Sequence, residues 1–341
     1  MTIERTSGQK ALMDEHGLPW PKADEDAASR TQSSLRAFQE NVSDDRADTA
    51  KALQRLLSSG HGEAMTALAG HWARVNAHFL VTAEAAGALA AELLSCGDDI
   101  AVHKDMALGV VDRIAPGLPA PGGSLRPPLD VAQQGVVRSA RAELGSIEQQ
   151  AFHETTSRVT AARTDFHVAA LPNIPADLSG GGSAGTGVAP GIAGGGDVIG
   201  GGGSAIGGGA GAVGAGQHAP DRGADRLHGG GPAVGTPQSF RIDFGEHTRA
   251  AKRLAEIADQ IAGRTTTALA RAMYDLEELQ RSGDLGASVA NGFAPLLDDL
   301  DLATRALGRH LDGPLRDAVR ASGEDQKRTE DDNRERFGWW R

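Results

Sequence analysis

The segment MTALAGHWARVNAHFLVTAEAAGALAAELL, residues 65–94, decides the fold. Its large apolar side chains recur at steps of three and four residues and resume about three turns later. They are Met65, Leu68, Trp72, Val75, Phe79, Leu89 and Leu93. That spacing places them on one face of an α-helix. Alanine fills many of the other positions, which allows neighbouring helices to approach closely. The segment therefore predicts a long amphipathic helix in an all-α protein.

A second helix is predicted over residues 23–58, before this segment. Asp24, Glu25 and Asp26 place negative charge in its first turn, where the helix dipole favours it. The glycines of Ser58-Ser59-Gly60-His61-Gly62 allow a tight turn between the two helices. We therefore expect a helical hairpin. We also expect the helix that contains residues 65–94 to break at Gly97-Asp98-Asp99 and a shorter helix to follow over residues 100–114.

The apolar periodicity returns in two further parts of the chain. Residues 129–168 predict one long helix that folds back on the hairpin, which gives a helical bundle over residues 20–170. Residues 240–322 repeat the hairpin plan, with Pro295 and Gly313-Pro314 as the expected sites of a kink or a break.

Three segments lack such a pattern. Residues 171–239 are rich in glycine, as in GGGDVIGGGGSAIGGGAGAVGAG, and predict a disordered linker. Residues 1–19 are expected to be a flexible N-terminus and residues 323–341 a charged tail that ends in Trp339-Trp340. The expected fold is thus two antiparallel helical-hairpin or bundle modules joined by a disordered linker.

Composition argues against several classes of partner. The net charge is −11, so the surface would repel nucleic acid phosphates. No stretch is apolar for long enough to span a membrane, and the N-terminus lacks the apolar region of a cleavable signal peptide. We therefore expect no nucleic acid partner and no stable membrane insertion.

The residue patterns of enzymes are also missing. The eleven histidines are scattered, and His71 and His78 are seven residues apart without the His-Glu-x-x-His spacing of zinc proteases. The single cysteine, Cys96, lies in an apolar context and predicts a buried core residue. We expect no catalytic residues, no metal site and no cofactor.

The N-terminal part combines five features: Trp20-Pro21, Asp24-Glu25-Asp26, the Gly60-His61-Gly62 turn, Trp72, and Lys104 before Met106-Ala107-Leu108-Gly109-Val110-Val111. In these features residues 17–115 resemble the WXG superfamily of type VII (ESX) secretion substrates of actinobacteria, and in particular the WXG-like N-terminal domain of a mycobacterial channel-forming toxin protein. The sequence departs from the family at the turn, where Gly60 stands in place of the tryptophan of the Trp-x-Gly motif and only Gly62 matches. Residues 240–322 are similar to a generic member of the same superfamily.

The resemblance implies a non-catalytic protein that pairs with a small WXG-type helical-hairpin protein and is recognised by the ESX machinery. It also implies export to the cell surface or medium without a cleavable signal. The residues expected to serve recognition are Trp20, Gly62, Trp72, Tyr274 and Glu278. The last two form a Tyr-x-x-x-Glu pattern, the form of the family's export signal, although here it lies inside a helix.

Two other functions fit the same patterns. The protein could be a cytoplasmic scaffold in which the linker joins two coiled-coil-like modules for a shared partner. It could also be a membrane-active toxin, but such toxins need amphipathic helices with a basic polar face, and this chain is acidic.

Overall fold

Helices account for all the regular structure in the part of the chain that the computed structural model describes, which comprises residues 3–60, 62–119, 128–179 and 244–337. For these ranges the predicted all-α class is confirmed. In chain order the α-helices are α1 Ser7–His16, α2 Glu25–Ser59, α3 Glu63–Ile114, α4 Val131–Thr164, α5 Phe166–Ala170, α6 Ile174–Ser179, α7 Phe244–Gln260, α8 Thr266–Arg281, α9 Asp284–His310 and α10 Arg316–Phe337. Short 3₁₀ turns occur at Ala115–Gly117 and Leu171–Asn173, and π turns at Ile261–Thr265 and Leu311–Leu315.

The helices α2 and α3 form the predicted antiparallel hairpin. The carboxylate of Asp24 caps α2 by accepting hydrogen bonds from the backbone N–H groups of Asp26 and Ala27, at 2.9 and 3.1 Å. Gly62 precedes α3 with φ +109°, a conformation that side chains rarely adopt. The turn therefore requires glycine at this position.

The helix α3 runs unbroken through Gly97, so the expected break at Gly97-Asp98-Asp99 was wrong. Gly97 is buried, and a Cβ there would lie 3.4 Å from the Cβ of Ala28 and 3.6 Å from the carbonyl oxygen of Glu25. Both distances are ordinary van der Waals contacts, so a Cβ would fit here, and the glycine is accommodated within the packed helix without ending it.

The N-terminal segment, expected to be flexible, contains a capped helix. Thr6 and Gln9 form a capping box at the start of α1, and Gly17, with φ +57°, ends it. Leu12 and Met13 are buried against the C-terminal part of α3 and against α4. This smaller apolar cluster fixes α1 to the bundle.

The helices on either side of the glycine-rich segment share one hydrophobic core. Residues 1–181 and 242–341 form one compact unit, in which α7 and α8 pack along α2, and α9 packs on α3 and α4. Phe38 of α2, Phe79 of α3 and Phe293 of α9 are fully buried in the same cluster. The structure thus differs from the two separate modules predicted from the sequence. One reason is that α2 meets α8 partly through hydrogen bonds between polar residues, which a hydropathy pattern does not reveal.

The other two segments without a predicted helical pattern are also partly helical. Residues 171–179, assigned to the linker, form a 3₁₀ turn and α6, with Leu171, Ile174 and Leu178 buried. In the charged tail, residues 323–337 belong to α10, which ends at Phe337. The rest of the predicted linker, residues 180–239, lies outside the described residues, as do residues 240–243 of the predicted second hairpin and the terminal Trp339-Trp340.

The two proline sites of the second hairpin differ in their local structure. Gly313-Pro314 lies within the π turn Leu311–Leu315, where the backbone departs from a regular α-helix. Pro295 lies inside α9, which continues through it, so a break at this position was wrong.

Candidate functional site

Trp20 lies half-buried beside the first turn of α2, between two cations. The Cζ atom of Arg5 is 5.2 Å from the centre of its ring system, and the Nζ atom of Lys104 is 6.0 Å from it. Both distances are within the range of cation–π attraction. The ring also packs against the cluster formed by α1, α3 and α4. Trp20 is therefore a fixed part of the fold at this end of the hairpin.

Beside Trp20, Lys104 of α3 and Glu25 of α2 form a buried ion pair. The Nζ–Oε2 distance is 2.5 Å, and each side chain is only 5% exposed. The backbone N–H of Ile3 donates to the other carboxylate oxygen. Because each buried charge has a partner, the pair fixes the relative position of the two helices and ties the N-terminus to them.

The chain before α2 also contacts the turn between α8 and α9. The hydroxyl group of Ser282 accepts a hydrogen bond from the backbone N–H of Asp24 at 2.9 Å, and the carbonyl of Lys22 accepts one from the backbone N–H of Gly286 at 3.3 Å. Gly283 has φ +142°, and a Cβ there would overlap the side chain of Lys22. The turn of the second hairpin is thus fitted to the start of the first.

Tyr274 and Glu278 lie on α8, one turn apart, and differ in their contacts. The side chain of Tyr274 is exposed, at 57%, and it is available to a partner. Glu278 accepts a hydrogen bond from Arg30 of α2 at 2.7 Å. The same guanidinium lies 3.6 Å from carboxylate oxygens of Asp24 and Asp275. The acidic residue of the Tyr-x-x-x-Glu pattern is therefore bound by the first hairpin.

Gly62 and Trp72 lie near the other end of the hairpin. Gly62 is exposed at the turn, and Trp72 is half-buried, with its ring centre 6.5 Å from that of Phe79. Because α2 has 35 residues, it separates the two ends by about 50 Å at 1.5 Å per residue. The structure therefore places Trp20 and Glu278 at one end and Gly62 and Trp72 at the other, so the five predicted residues do not form one site.

An apolar strip runs along the solvent-facing side of α3. Its large apolar side chains are Leu80, Leu94, Val102 and Met106, which are 40–57% exposed. At 100° per residue they fall within about 120° of the helix circumference. Three carboxylates, Glu84, Asp98 and Asp105, lie on the same side and form no ion pair with any residue of the described ranges. We call these seven residues the α3 strip. The sequence did not reveal the α3 strip because the same helix also carries the apolar pattern that faces the core.

Two histidines that are far apart in sequence meet between α3, α6 and α9. The Nε2 atoms of His71 and His310 are 2.7 Å apart, and the Nδ1 atom of His310 lies 3.1 Å from the carbonyl oxygen of Leu178. Burial and the neighbouring His71 lower the pKa of His310 to about 4. Sequence spacing gave no sign of this pair, since 239 positions separate the two residues.

The chemistry available to the remaining candidates is limited. Burial raises the pKa of the Cys96 thiol to about 12, which disfavours the reactive thiolate. Among the described residues, no three histidine, cysteine or acidic side chains are grouped so that they could bind a metal ion. The helix segment Glu63–Gly117 is long and apolar enough to cross a membrane, but half of its most apolar window is buried in the bundle, so this is weak evidence for insertion.

Comparison with known proteins returned no family model, no curated protein and no solved structure that matches the chain. The resemblance to WXG proteins therefore rests on the quoted residues alone.

Proposed function

We propose that the protein is a non-catalytic type VII (ESX) secretion substrate, or the targeting adaptor of one, which acts by presenting helical surfaces to a partner and to the secretion machinery. The resemblance of residues 17–115 supports this proposal. So does the exposure of Tyr274, which leaves the aromatic residue of the Tyr-x-x-x-Glu pattern accessible on α8.

The second hairpin changes where a partner would bind. A small hairpin protein that paired with α2 and α3 would need a free face on that hairpin. In this chain α7 and α8 already cover α2. The second hairpin of the same chain thus occupies the face of α2 that a partner hairpin would use, and an external partner must bind another surface.

The observation that carries the proposal is the α3 strip. Large apolar side chains that recur along one face of a long helix are the surface that another amphipathic helix recognises. The unpaired carboxylates Glu84, Asp98 and Asp105 favour a partner helix with Lys or Arg beside its apolar face, because opposite charges would steer and orient the complex. A small WXG-type hairpin protein with such a helix is the proposed partner.

Secretion and partner binding are tested together with a tagged full-length chain in an actinobacterial host, with and without its ESX ATPase. We expect the protein in the culture filtrate only when the ATPase is present. Val102→Asp adds a fourth carboxylate to the α3 strip and should lower the secreted amount by about tenfold or more, the effect of about 1.4 kcal/mol of lost binding.

Leu302→Asp is the matched control, because Leu302 is also an exposed apolar residue, at 53% against 57% for Val102, but lies on α9. Its secretion should equal that of the parent protein. Retention of the parent in both strains would refute the secretion proposal and favour the cytoplasmic scaffold. ATPase-dependent secretion that Val102→Asp leaves unchanged would refute the role of the α3 strip alone.

A further inference from the structure

The contact between His71 and His310 allows one arrangement of protons. The carbonyl of Leu178 only accepts hydrogen bonds, so the Nδ1 atom of His310 carries a proton and donates it. A neutral imidazole has one N–H, and therefore the Nε2 atom of His310 is an acceptor. The Nε2 atom of His71 must then donate across the 2.7 Å contact. Both rings are neutral in this arrangement, and every contact is satisfied.

The surroundings of the pair oppose positive charge. His310 is only 5% exposed. On α3, Arg74 and His78 face the pair, and both lower the pKa of His310, whereas the hydrogen bond to Leu178 raises it. On α6, Asp177 raises the pKa of His78. On α9 and in the π turn, the neighbouring Arg309 and Asp312 are exposed. The groups that shift the pKa of His310 thus lie on α3 and α6.

The two histidines respond differently to a proton. His71 has its Nδ1 atom free to accept one, and the protonated ring still donates from Nε2 to His310. His310 can accept a proton only on Nε2, which points at the N–H of His71. When both rings are protonated, the two Nε2–H groups point at each other and the two positive charges repel, near the guanidinium of Arg74.

We propose that His71, His310 and the Leu178 carbonyl form a pH-sensitive latch, which holds α6 on the bundle when the rings are neutral and releases it when both are protonated. α6 is the last described element before the glycine-rich segment. It is held otherwise by buried apolar contacts of Leu171, Ile174 and Leu178. The π turn that starts at Leu311 adjoins His310, so the backbone beside the latch already departs from regular helix.

The latch predicts a local opening that grows as the pH falls. With the pKa of His310 at about 4 in the closed form and 6.5 in the open form, the opening equilibrium should rise by about 60-fold between about pH 7 and about pH 4.5. Hydrogen exchange of the full-length protein, followed by mass spectrometry and corrected for intrinsic exchange at each pH, measures this equilibrium. We expect the rise in residues 166–179 and not in the peptides from the middle of α2.

Two variants separate the latch from a general effect of acid. In the double variant His71→Gln, His310→Asn, the Gln amide replaces the donor of His71 and the Asn amide replaces the Nδ1 donor of His310, and neither amide titrates in this range. Exchange of residues 166–179 should then be independent of pH. His153→Gln removes an exposed histidine of α4 and should behave as the parent protein does.

A parent protein whose α6 exchange does not change with pH would overturn the proposal, as would a double variant that opens like the parent. A parallel rise in α2 would also overturn it, because that rise would mean global unfolding. If the double variant does not fold, side-chain nitrogen NMR of the parent decides the question. The latch requires the Nδ1–H form of His310 at neutral pH, and the Nε2–H form would refute it.

Discussion

Removing the charge of Lys104 should be one of the most damaging single changes in the protein. Lys104→Met keeps an unbranched apolar side chain but removes the cation that pairs with the Glu25 carboxylate, whose side chain is only 5% exposed. Breaking a buried ion pair by removing one partner costs about 3–5 kcal/mol, because the remaining charge stays desolvated. We expect a loss of that size in the free energy of unfolding.

The double variant Lys104→Met, Glu25→Leu tests the reason for this loss. It replaces both charges with apolar groups, and such replacements are often close to neutral. It also loses the hydrogen bond from the backbone N–H of Ile3, a loss of about 1 kcal/mol. The double variant should therefore lie within about 2 kcal/mol of the parent and be more stable than Lys104→Met.

Urea unfolding, followed by far-ultraviolet circular dichroism and by tryptophan fluorescence, measures these differences. The two signals should change together, as a single cooperative transition requires. The control is Arg113→Met, since Arg113 and Glu143 also form a 2.7 Å ion pair but their side chains are 60% and 47% exposed. It should cost less than about 1 kcal/mol. A loss below about 1 kcal/mol for Lys104→Met, or additive losses in the double variant, would refute the reasoning.

Two further substitutions probe contacts between the two halves of the chain. Gly292→Ala on α9 would place a Cβ 2.6 Å from both γ carbons of Val159 on α4. It should lower the free energy of unfolding by about 1–3 kcal/mol despite the better helix propensity of alanine, and Val159→Ala in the same chain should recover part of that loss. A Gly292→Ala variant more stable than the parent would contradict the packing. Burial raises the pKa of Asp45, which means that the fold loses stability as the pH rises from 3.8 through the raised value. Asp45→Asn should therefore raise the melting temperature at neutral pH, and this gain should shrink as the pH approaches 3.8. An equal gain at neutral pH and near pH 3.8 would exclude the carboxylate charge as its cause.

The sequence was sufficient to predict the individual helices because their apolar residues recur with helical spacing. The predicted helix over 23–58 corresponds to α2, Glu25–Ser59, and the one over 129–168 contains α4, Val131–Thr164. The predicted break in α3 was wrong because a single glycine only lowers helix propensity and does not by itself end a helix. On either side of Gly97 the apolar residues Leu93, Cys96 and Ile100 are buried in the core, and this packing outweighs the low propensity.

The packing of the two halves on each other was not predictable from hydropathy because α2 meets α8, and the π turn Ile261–Thr265 before it, partly through polar residues. Ser34 donates to Asp275 at 3.1 Å, and Asp45 accepts from Thr265 at 2.6 Å and from Arg264 at 3.0 Å. These residues read as a solvent-exposed face in the sequence, yet Ser34, Asp45 and Thr265 are buried. Likewise, the histidine pair depends on a contact between distant helices, which no local pattern encodes.

The shared core has a consequence for how the chain folds during synthesis. The partners of α2 lie far along the chain, since Ser34 and Asp275 are 241 positions apart. When residue 181 has been made, about 100 more residues must follow before α8 is complete, which takes roughly 5–20 s at about 5–20 residues per second. During that interval the face of α2 that later meets α8 has no partner in the chain. A nascent chain in this state presents to chaperones a surface that the finished protein conceals.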